Sequence, residues 1–448
     1  MRSSKGLSAH FIGIGGIGVS ALAKYYLHQG ATVSGSDLVS SEITNELELL
    51  GAKIAVGPHK RASIPPETNL IIYTSAILKN NPELLYAKRR KLKARSYAEV
   101  LGEITKELKT ITISGSHGKS TTAALTALVL EEGYLDPTVV VGTKVKEFGN
   151  SNFRSGRGPY FVLEADEWNR SFLNYSPHIA VVTNIDAEHL DTYKNVRAVE
   201  KTFSDYLKKV PKNGTIVANH DDSRVRKVLK GFKKKNIRWY SLASRDAQTL
   251  KKIMRVPGEH NISNALAALE VGRALGIHEP AILNALSRFN GTWRRFDFRG
   301  LVNGASIFDD YGHHPREIQA TIVAARARFP LRRIWCVYQP HQYQRLAYLW
   351  DDFESAFDLA DRVCLLPVYD VAGRETSSAK IAVNSRKLVQ ALVKRGKNAA
   401  YFASFNKATP YLTLGTRKGD IVLVMGAGNI YNLSKNLINS NIPKAQHL

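Results

Sequence analysis

The chain has 448 residues, of which 44% are hydrophobic and 23% charged, a balance typical of a folded globular protein of about three domains. No apolar run is long enough to cross a bilayer and no secretory signal is recognisable, so we expect a cytoplasmic protein. The net charge of +24 favours anionic partners such as nucleotides. The densest basic runs, at residues 88–95 and 230–235, contain few aromatic residues, so we predict solvated surfaces there and no obligate nucleic-acid partner.

Short apolar runs alternate with helix-like segments along the chain, which predicts an α/β fold with parallel sheets. The strand-like runs cover residues 10–14, 70–73, 111–114, 139–141, 160–163, 179–182, 334–338, 363–366 and 421–425. Cys336 and Cys364 lie inside two of these runs, so we expect core residues and no disulfide or thiolate metal site. A new βα unit begins after the polar helix-like stretch at residues 96–109, which indicates a boundary near residue 104. The segment at residues 291–296 follows a helix-like run and precedes a strand-like run at 305–308, which indicates a second boundary near residue 298. We therefore predict three domains, residues 1–103, 104–297 and 298–448.

The first candidate site is a glycine-rich turn after the first strand. Gly13, Gly15, Gly16 and Gly18 open a helix, and Asp37 ends the next strand-like run. Backbone N–H groups and a helix dipole at such a turn hold phosphates. The turn fits NAD in an oxidoreductase, or the diphosphate of a sugar nucleotide with Asp37 near its base or ribose. The candidate substrate-binding residues here are Gly15, Gly16, Ile17, Gly18, Asp37 and Ser75.

The most specific motif is a phosphate loop, GSHGKST, after the run at residues 111–114. Its glycine turn, the helix that follows and the ammonium of Lys119 suit nucleotide phosphates, and the Ser120 hydroxyl suits Mg²⁺. The spacing between its glycines is shorter than usual, which favours a small class of ATP users. The candidate ATP-binding residues are Gly115, Ser116, His117, Gly118, Lys119, Ser120 and Thr121. A second phosphate site has no task in hydride transfer, so the two loops favour a ligase acting on a nucleotide-linked substrate.

Polar residues follow the next two strand-like runs of the central region. Glu164, Asp166 and Glu167 end the run at residues 160–163, and His189 comes after the run at 179–182. The carboxyl ends of parallel strands face the ligand crevice, and Mg²⁺ is held by one or two carboxylates beside phosphates. We therefore predict Ser120 and Glu164 as magnesium ligands, with His189 completing a second metal position.

Three later segments have the polar density of a ligand crevice shared between domains. Side-chain amides enter a helix at residues 258–264, where they suit an adenine edge or a helix cap. Arg294 and Arg295 lie at a predicted hinge, where a guanidinium suits a γ-phosphate. The segment DDYGHHP at residues 309–315 ends a strand and starts a helix.

Together these motifs resemble the Mur ligases, in the family's order from about residue 10 to residue 430. The resemblance rests on GIGGIGVSALA, GSHGKSTT, EADE, TNIDAEHLDTY, GEHNISNALAA, GTWRRFDF, DDYGHHPREI and QPHQYQR. It implies a Rossmann-like N-terminal domain for a UDP-sugar, a central P-loop ATPase domain and a Rossmann-like C-terminal domain for an amino acid. Within the family the motifs are most similar to those of members that join L-alanine to UDP-N-acetylmuramate. The resemblance therefore implies these two substrates, ATP and Mg²⁺.

The resemblance also implies roles for single residues. The implied catalytic set is Lys119, Glu164, His189, Arg295 and His313. The implied residues of the ATP side are His260, Asn261 and Asn264 at the adenine, Arg295 at the phosphate and Asp310 at the ribose. The implied residues of the amino-acid end are Tyr311, His313, His341 and Arg345, with His313 as the candidate proton acceptor.

Two segments depart from the family pattern. The family's HRYTR reads HQYQR here, so Gln342 replaces a guanidinium that would meet the acceptor's carboxylate. Trp168 and Asn169 follow EADE, where the family more often has a small residue and an aspartate. Another amino acid or a preformed peptide stays open as the acceptor. Outside the family, a nicotinamide-dependent oxidoreductase, a nucleic-acid-stimulated ATPase and a sugar-nucleotide sensor stay open, as does the choice between monomer and dimer.

Overall fold

The computed structural model describes residues 4, 6–186, 192–370, 380 and 382–440. The chain divides into two compact units, one of residues 1–255 and 261–290 and the other of residues 256–260 and 291–448. The first unit contains two sheets and the second contains one. In the described part of the chain, we find no helix whose length and apolar character would let it span a bilayer.

The N-terminal sheet is entirely parallel, with the strand order β3-β2-β1-β4-β5. Its strands are β1 (Ser8–Ile12), β2 (Thr32–Asp37), β3 (Lys53–Val56), β4 (Leu70–Tyr73) and β5 (Lys93–Ser96). Its helices are α1 (Ile17–His28), α2 (Glu42–Leu49), α3 (Pro82–Arg89) and α4 (Tyr97–Glu107), with a 3₁₀ turn at Arg61–Ser63. The strand order reverses between β1 and β4, so a crevice for ligands is expected at the carboxyl ends of these strands.

The central sheet has seven strands in the order β12-β11-β10-β6-β9-β7-β8, and only the edge pair β7–β8 is antiparallel. The strands are β6 (Lys109–Ser114), β7 (Thr138–Val145), β8 (Ser151–Arg154), β9 (Tyr160–Ala165), β10 (Ile179–Val182), β11 (Thr215–Asn219) and β12 (Asn236–Tyr240). The helices are α5 (Lys119–Glu132), α6 (Val196–Leu207), α7 (Ser223–Leu229), α8 (Arg245–Ile253), α9 (Glu259–Ala274) and α10 (Glu279–Arg288), with 3₁₀ segments at Lys146–Phe148 and Trp168–Asn174. Every residue of β10 is buried, because helices cover both faces of such a sheet.

The second unit contains a six-stranded sheet in the order β13-β14-β18-β15-β16-β17, parallel except for β13–β14. The strands are β13 (Asp297–Val302), β14 (Ala305–Asp310), β15 (Ile334–Tyr338), β16 (Arg362–Leu365), β17 (Ala399–Tyr401) and β18 (Ile421–Met425). The helices are α11 (Pro315–Arg328), α12 (Tyr343–Tyr348), α13 (Trp350–Ser355), α14 (Ser385–Lys394), α15 (Phe405–Gly415) and α16 (Tyr431–Ser440). Cys336 and Cys364 are buried on β15 and β16, as predicted.

The predicted α/β class with Rossmann-like parallel sheets is confirmed, with two local differences. The β7–β8 and β13–β14 pairs are antiparallel hairpins at sheet edges, whereas the sequence predicted parallel strands. The strands β8 and β13 escaped prediction because they are partly exposed and carry polar or charged residues instead of an apolar run. The domain boundaries near residues 104 and 298 stay predictions.

Candidate active site

The phosphate loop leaves the carboxyl end of β6 and turns into α5. Gly115 and Gly118 have positive φ angles of +134° and +84°, which favour glycine. A Cβ atom on Gly115 would lie 2.1 Å from Thr183 Oγ1, and one on Gly118 would lie 2.4 Å from Asn264 Oδ1. Conformation and space therefore both require glycine at these two positions.

The residues after β10 fix the middle of the loop. Ser116 N donates to Asn184 O at 3.1 Å, and His117 N donates to Asn184 Oδ1 at 2.8 Å. Asp186 N donates to Ser116 Oγ at 2.8 Å. Thr121 is buried in the first turn of α5. The loop is thus a preformed turn at the N-terminus of a helix, which is the geometry that binds phosphate.

The ammonium of Lys119 is held directly at this loop. Its Nζ atom donates to Gly115 O at 2.6 Å, to Ser116 O at 3.2 Å and to Glu167 Oε2 at 3.0 Å. The Glu167 side chain is only 1% exposed, so this ion pair is largely shielded from water. Lys119 therefore has a fixed position beside the phosphate-binding turn.

Glu164 and Ser120 form the candidate metal centre beside the loop. Glu164 lies near the end of β9, its Oε1 accepts from Gly142 N at 2.5 Å, and its carboxylate is hydrogen-bonded by the Ser120 hydroxyl. Burial raises the pKa of Glu164, while Gly142, Ser120 and Lys119 act in the opposite direction. One carboxylate and one hydroxyl beside a phosphate site fit Mg²⁺, which takes few protein ligands and completes its shell with phosphate and water oxygens.

The third predicted metal ligand, His189, lies outside the described residues. Within the described ranges there is no group of three or more His, Cys, Asp or Glu side chains that could hold a metal ion by itself. Among the described residues, the predicted metal ligands are therefore Ser120 and Glu164.

The residues predicted at the adenine lie at the start of α9. Asn261 and Asn264 are buried, whereas His260 is exposed. The close approach of the Asn264 carboxamide to Gly118 places this residue against the phosphate loop. Adenine binding by these residues stays a prediction.

The glycine-rich turn of the N-terminal sheet connects β1 to α1. Asp37 lies at the carboxyl end of β2, and its Oδ2 atom accepts from Gly15 N at 2.8 Å. A Cβ atom on Gly15 would lie 2.9 Å from the same oxygen, so a larger residue there would require the Asp37 side chain to shift. Ser75 is exposed in the turn after β4, at the same edge of the sheet. The predicted residues that begin α1 at this turn are Gly16, Ile17 and Gly18.

A buried polar cluster joins α1 to the β7–β8 hairpin. Asn152 Nδ2 donates to Ile17 O at 2.5 Å, and Asn152 Oδ1 accepts from Lys24 Nζ at 2.9 Å. Lys24 also pairs with Glu46, which pairs in turn with Lys144 at 3.2 Å. Burial lowers the pKa of Lys24, while Glu46 acts to raise it. The first turn of α1 is therefore anchored to the edge of the central sheet.

In the second unit, Asp310 and Arg295 occupy the carboxyl end of β14. Asp310 Oδ1 accepts from Gly312 N at 2.7 Å and Oδ2 accepts from Phe296 N at 2.9 Å. Burial raises the pKa of Asp310, and Arg295 acts to lower it. Arg295 Nη1 lies 3.4 Å from Glu317 Oε1. These two predicted residues are thus brought together, although their contacts with ATP stay predictions.

The two arginines of the predicted hinge differ in their surroundings. The Arg294 guanidinium lies among the rings of Trp293, Tyr311 and Tyr431, 4.9 to 5.6 Å from their centroids. Arg294 is 3% exposed and also donates to Gly426 O. Arg294 therefore packs inside the second unit, and Arg295 is the arginine of the pair that stays a phosphate-binding candidate.

The four residues predicted at the amino-acid end form one contiguous group. The rings of Tyr311 and His313 are 5.5 Å apart, and those of His313 and His341 are 6.0 Å apart. His341 stacks on Tyr369 at 5.5 Å, and Arg345 Nη1 lies 3.4 Å from His341 Nδ1. The sequence prediction that these side chains share a site is consistent with this geometry, and their roles stay predictions.

The chain is similar to known proteins over nearly its whole length. Three family descriptions match in order: "Mur ligase family, catalytic domain" at residues 8–109, "Mur ligase middle domain" at 113–272 and "Mur ligase, glutamate ligase domain" at 294–428. The chain belongs to the Mur ligase family. Within this family it is 38% identical to the UDP-N-acetylmuramate--L-alanine ligase of Clostridium kluyveri, over 97% of this chain and 98% of that protein.

Solved structures of Mur ligases are similar over nearly the whole chain. The UDP-N-acetylmuramate-alanine ligase of Thermotoga maritima superimposes with a TM-score of 0.81 at 26% identity, covering 97% of this chain and 99% of that one. The murein peptide ligase of Psychrobacter arcticus gives a TM-score of 0.74 at 22% identity, covering 97% and 98%. At that identity the second similarity supports the fold alone.

Sequence reasoning did not assign a role to several residues that shape this Mur ligase site. Glu167 was named only for its place at the end of a strand, yet its buried carboxylate lies 3.0 Å from Lys119 Nζ, closer than that of Asp166 at 4.0 Å. Asn152 lies in a polar edge strand, and its burial arises from packing against α1. Glu317 caps α11 and contacts both Arg295 and His313. Only Glu317 had a local signal, because it stands at the third helical position after His314.

Proposed function

We propose that this chain is an ATP-dependent ligase that joins L-alanine to the lactyl carboxylate of UDP-N-acetylmuramate, in peptidoglycan precursor synthesis. The observation that carries the proposal is the phosphate loop with Lys119 fixed beside it and the Ser120–Glu164 oxygen pair at its end. The glycine turn beside Asp37 supplies a second phosphate site in the same unit. Family membership and the 38% identical relative support the substrates.

The chemistry begins with activation of a carboxylate. A lactyl carboxylate oxygen attacks the γ-phosphorus of ATP, the bond from that phosphorus to the β–γ bridging oxygen breaks, and ADP leaves with the electron pair. The product is an acyl phosphate. Lys119 and Arg295 are proposed to stabilise the phosphoryl oxygens, since phosphoryl transfer is accelerated mainly by positioning and charge neutralisation. When bound by Ser120 and Glu164, Mg²⁺ would neutralise phosphate charge and orient the phosphates.

Amide formation completes the reaction. The amine nitrogen of the amino acid attacks the acyl carbon, and the carbon–oxygen bond to phosphate breaks, so that inorganic phosphate leaves with the electron pair. The amino acid arrives with its amino group protonated, and this ammonium group first loses a proton to give the neutral amine; His313 is the proposed acceptor. His313 Nδ1 lies 3.3 Å from Glu317 Oε2 and 3.2 Å from Tyr311 O. A proton held on Nδ1 by these oxygens leaves Nε2 as the basic atom.

The decisive assay measures phosphate release from ATP in the presence of UDP-N-acetylmuramate and one acceptor at a time. L-Alanine, L-serine, glycine and a short peptide form the acceptor panel, and mass spectrometry identifies the new amide. We expect L-alanine to give the highest kcat/KM. Preferred use of the peptide would instead identify a recycling ligase.

Failure of the whole panel has a clear meaning. If neither phosphate nor an amide forms with any acceptor, the proposed function is wrong. Reduction of a nicotinamide cofactor without ATP would identify an oxidoreductase, and stimulation of ATP hydrolysis by DNA or RNA would identify a nucleic-acid-dependent ATPase. The cytoplasmic location and the oligomeric state stay predictions.

A further inference from the structure

Tyr97 lies at the ligand edge of the N-terminal sheet, next to the sugar-nucleotide turn. It is the first residue of α4 and directly follows Ser96, the last residue of β5. The carboxyl ends of all five parallel strands lie at one edge of this sheet. That edge also carries the glycine-rich turn, Asp37 and Ser75. Tyr97 is thus placed where the substrate of this sheet is expected to bind.

The contact between Tyr97 and the turn is direct. A Cβ atom on Gly18 would lie 2.9 Å from Tyr97 Oη and 3.2 Å from Cζ, so the phenol covers the bare backbone of Gly18. Gly18 lies in the first turn of α1, where N–H groups are available to a diphosphate. The phenolic hydroxyl therefore stands within reach of a ligand bound at that turn.

The position of Tyr97 is fixed by its helix cap. Ser96 Oγ accepts from Glu99 N at 3.3 Å, and Glu99 Oε2 accepts from Ser96 N at 2.7 Å. This capping box sets the direction in which the chain enters α4. The backbone conformation at Tyr97, the first helical residue, is therefore fixed by this cap.

The same helix contacts the segment that follows the metal-site strand β9. Ser176 N donates to Thr105 Oγ1 at 3.1 Å, and a Cβ atom on Gly102 would lie 2.6 Å from Asn174 O. Burial raises the pKa of Tyr97, and the nearby carboxylates of Glu164 and Asp166 raise it further. The phenol therefore remains a neutral hydrogen-bond donor at neutral pH. A neutral donor is the group that can approach an anionic substrate atom close to two carboxylates without repulsion.

We propose that Tyr97 Oη donates a hydrogen bond to the lactyl carboxylate of UDP-N-acetylmuramate and holds it between the diphosphate turn and the Ser120–Glu164 pair. This inference rests on the proposed function, because it names a contact within that substrate. The geometry supports this atom because Tyr97 touches Gly18 and because its helix packs on residues 174–176, which follow the strand that carries Glu164. The attacking carboxylate has to lie between Gly18 and Glu164 if it is to reach a phosphate bound at Lys119.

Tyr97→Phe tests the contact because it removes the hydroxyl and keeps the ring that packs on Gly18. Calorimetry would measure the affinities of UDP, UDP-N-acetylglucosamine and UDP-N-acetylmuramate for the full chain. We expect Kd for UDP-N-acetylmuramate to rise about tenfold, as for loss of a hydrogen bond to a charged group, and the other two Kd values to stay within about twofold. Neither of those two ligands carries the lactyl group.

Tyr160→Phe is the matched control. Tyr160 begins β9 at the opposite edge of the sheet from Glu164, and its ring packs under Lys109. This variant should bind all three ligands like the wild type. Thermal unfolding of Tyr97→Phe at the wild-type temperature would exclude a general loss of structure.

Each other outcome overturns the inference. Equal weakening of all three ligands would place the hydroxyl on the diphosphate, and unchanged affinity for UDP-N-acetylmuramate would remove it from the site. These measurements need neither ATP nor an acceptor. A wild-type enzyme that binds the sugar nucleotide but forms no amide would therefore refute the proposed function without deciding the role of Tyr97.

Discussion

Replacing Lys119 by methionine should separate its proposed catalytic role from its structural one. Methionine keeps an unbranched side chain of similar length and removes the ammonium. The ammonium now bonds Gly115 O at 2.6 Å and Glu167 Oε2 at 3.0 Å. Lys119→Met therefore removes the cation proposed to meet the phosphates and also leaves Glu167 without this ion pair.

The two losses have different expected sizes. Removing one preorganised charge contact from a transition state costs about 3 kcal/mol, or two to three decades in kcat. Breaking a buried ion pair from one side costs about 3 to 5 kcal/mol of stability. The Lys119 side chain is 15% exposed and that of Glu167 is 1% exposed, so we expect a value near the lower end.

The assay is phosphate release at saturating ATP, UDP-N-acetylmuramate and L-alanine, combined with chemical denaturation. The double variant Lys119→Met with Glu167→Gln should regain most of the lost stability, because a neutral amide replaces the buried carboxylate that lost the ammonium, and should remain inactive. Lys109→Met is the control, since Lys109 is exposed at the start of β6, the strand whose other end leads into the phosphate loop. Recovery of activity in the double variant, or a single variant that keeps a tenth of wild-type turnover, would refute the role of Lys119.

Three further outcomes follow from the described contacts. Glu164→Gln should lower kcat by about two decades and raise the Mg²⁺ concentration needed for half-maximal rate, measured by magnesium titration. Asn152→Ala removes three hydrogen bonds of the buried Asn152 side chain, with Ile17 O, Ser20 Oγ and Lys24 Nζ, and should cost about 1 to 3 kcal/mol in urea denaturation. Burial raises the pKa of Asp309 to about 6. Between about pH 4 and pH 6 the folded chain keeps a proton on Asp309 that the unfolded chain has released. The free energy of unfolding should therefore fall by about 3 kcal/mol as the pH rises from about 4 to about 6. Asp309→Asn should remove this pH dependence in thermal unfolding.

The parts of the site that sequence could predict are those that follow buried parallel strands. Lys119, Glu164 and Asp310 each come at or after the end of an apolar run, and the carboxyl ends of such strands share one edge of their sheet. Local pattern alone therefore predicts that polar residues at these positions meet ligands. The same rule accounts for the grouping of His313 with His341, which follow β14 and β15.

The residues that sequence could not predict depend on packing between distant segments. Tyr97 follows the strand Lys93–Ser96, whose residues Lys-Ala-Arg-Ser form no apolar run. The local sequence therefore predicts neither this strand nor the position of Tyr97 at its carboxyl end. Asn152 is buried because α1, more than a hundred residues earlier in the chain, covers the edge hairpin. Neither periodicity nor a motif records such a contact, and only the three-dimensional arrangement reveals it.

The antiparallel β7–β8 hairpin contacts both of the nucleotide sites proposed in the first unit. From its β8 strand, Asn152 donates to the carbonyl of Ile17 in the proposed sugar-nucleotide turn. From its β7 strand, Gly142 N donates to the Glu164 carboxylate of the proposed metal centre. A parallel edge strand would need a long crossover connection, whereas a hairpin brings both strands of one short segment to the same edge. One local element therefore contacts both sites, which is the arrangement required when a carboxylate on one nucleotide-linked substrate has to meet the phosphate of another.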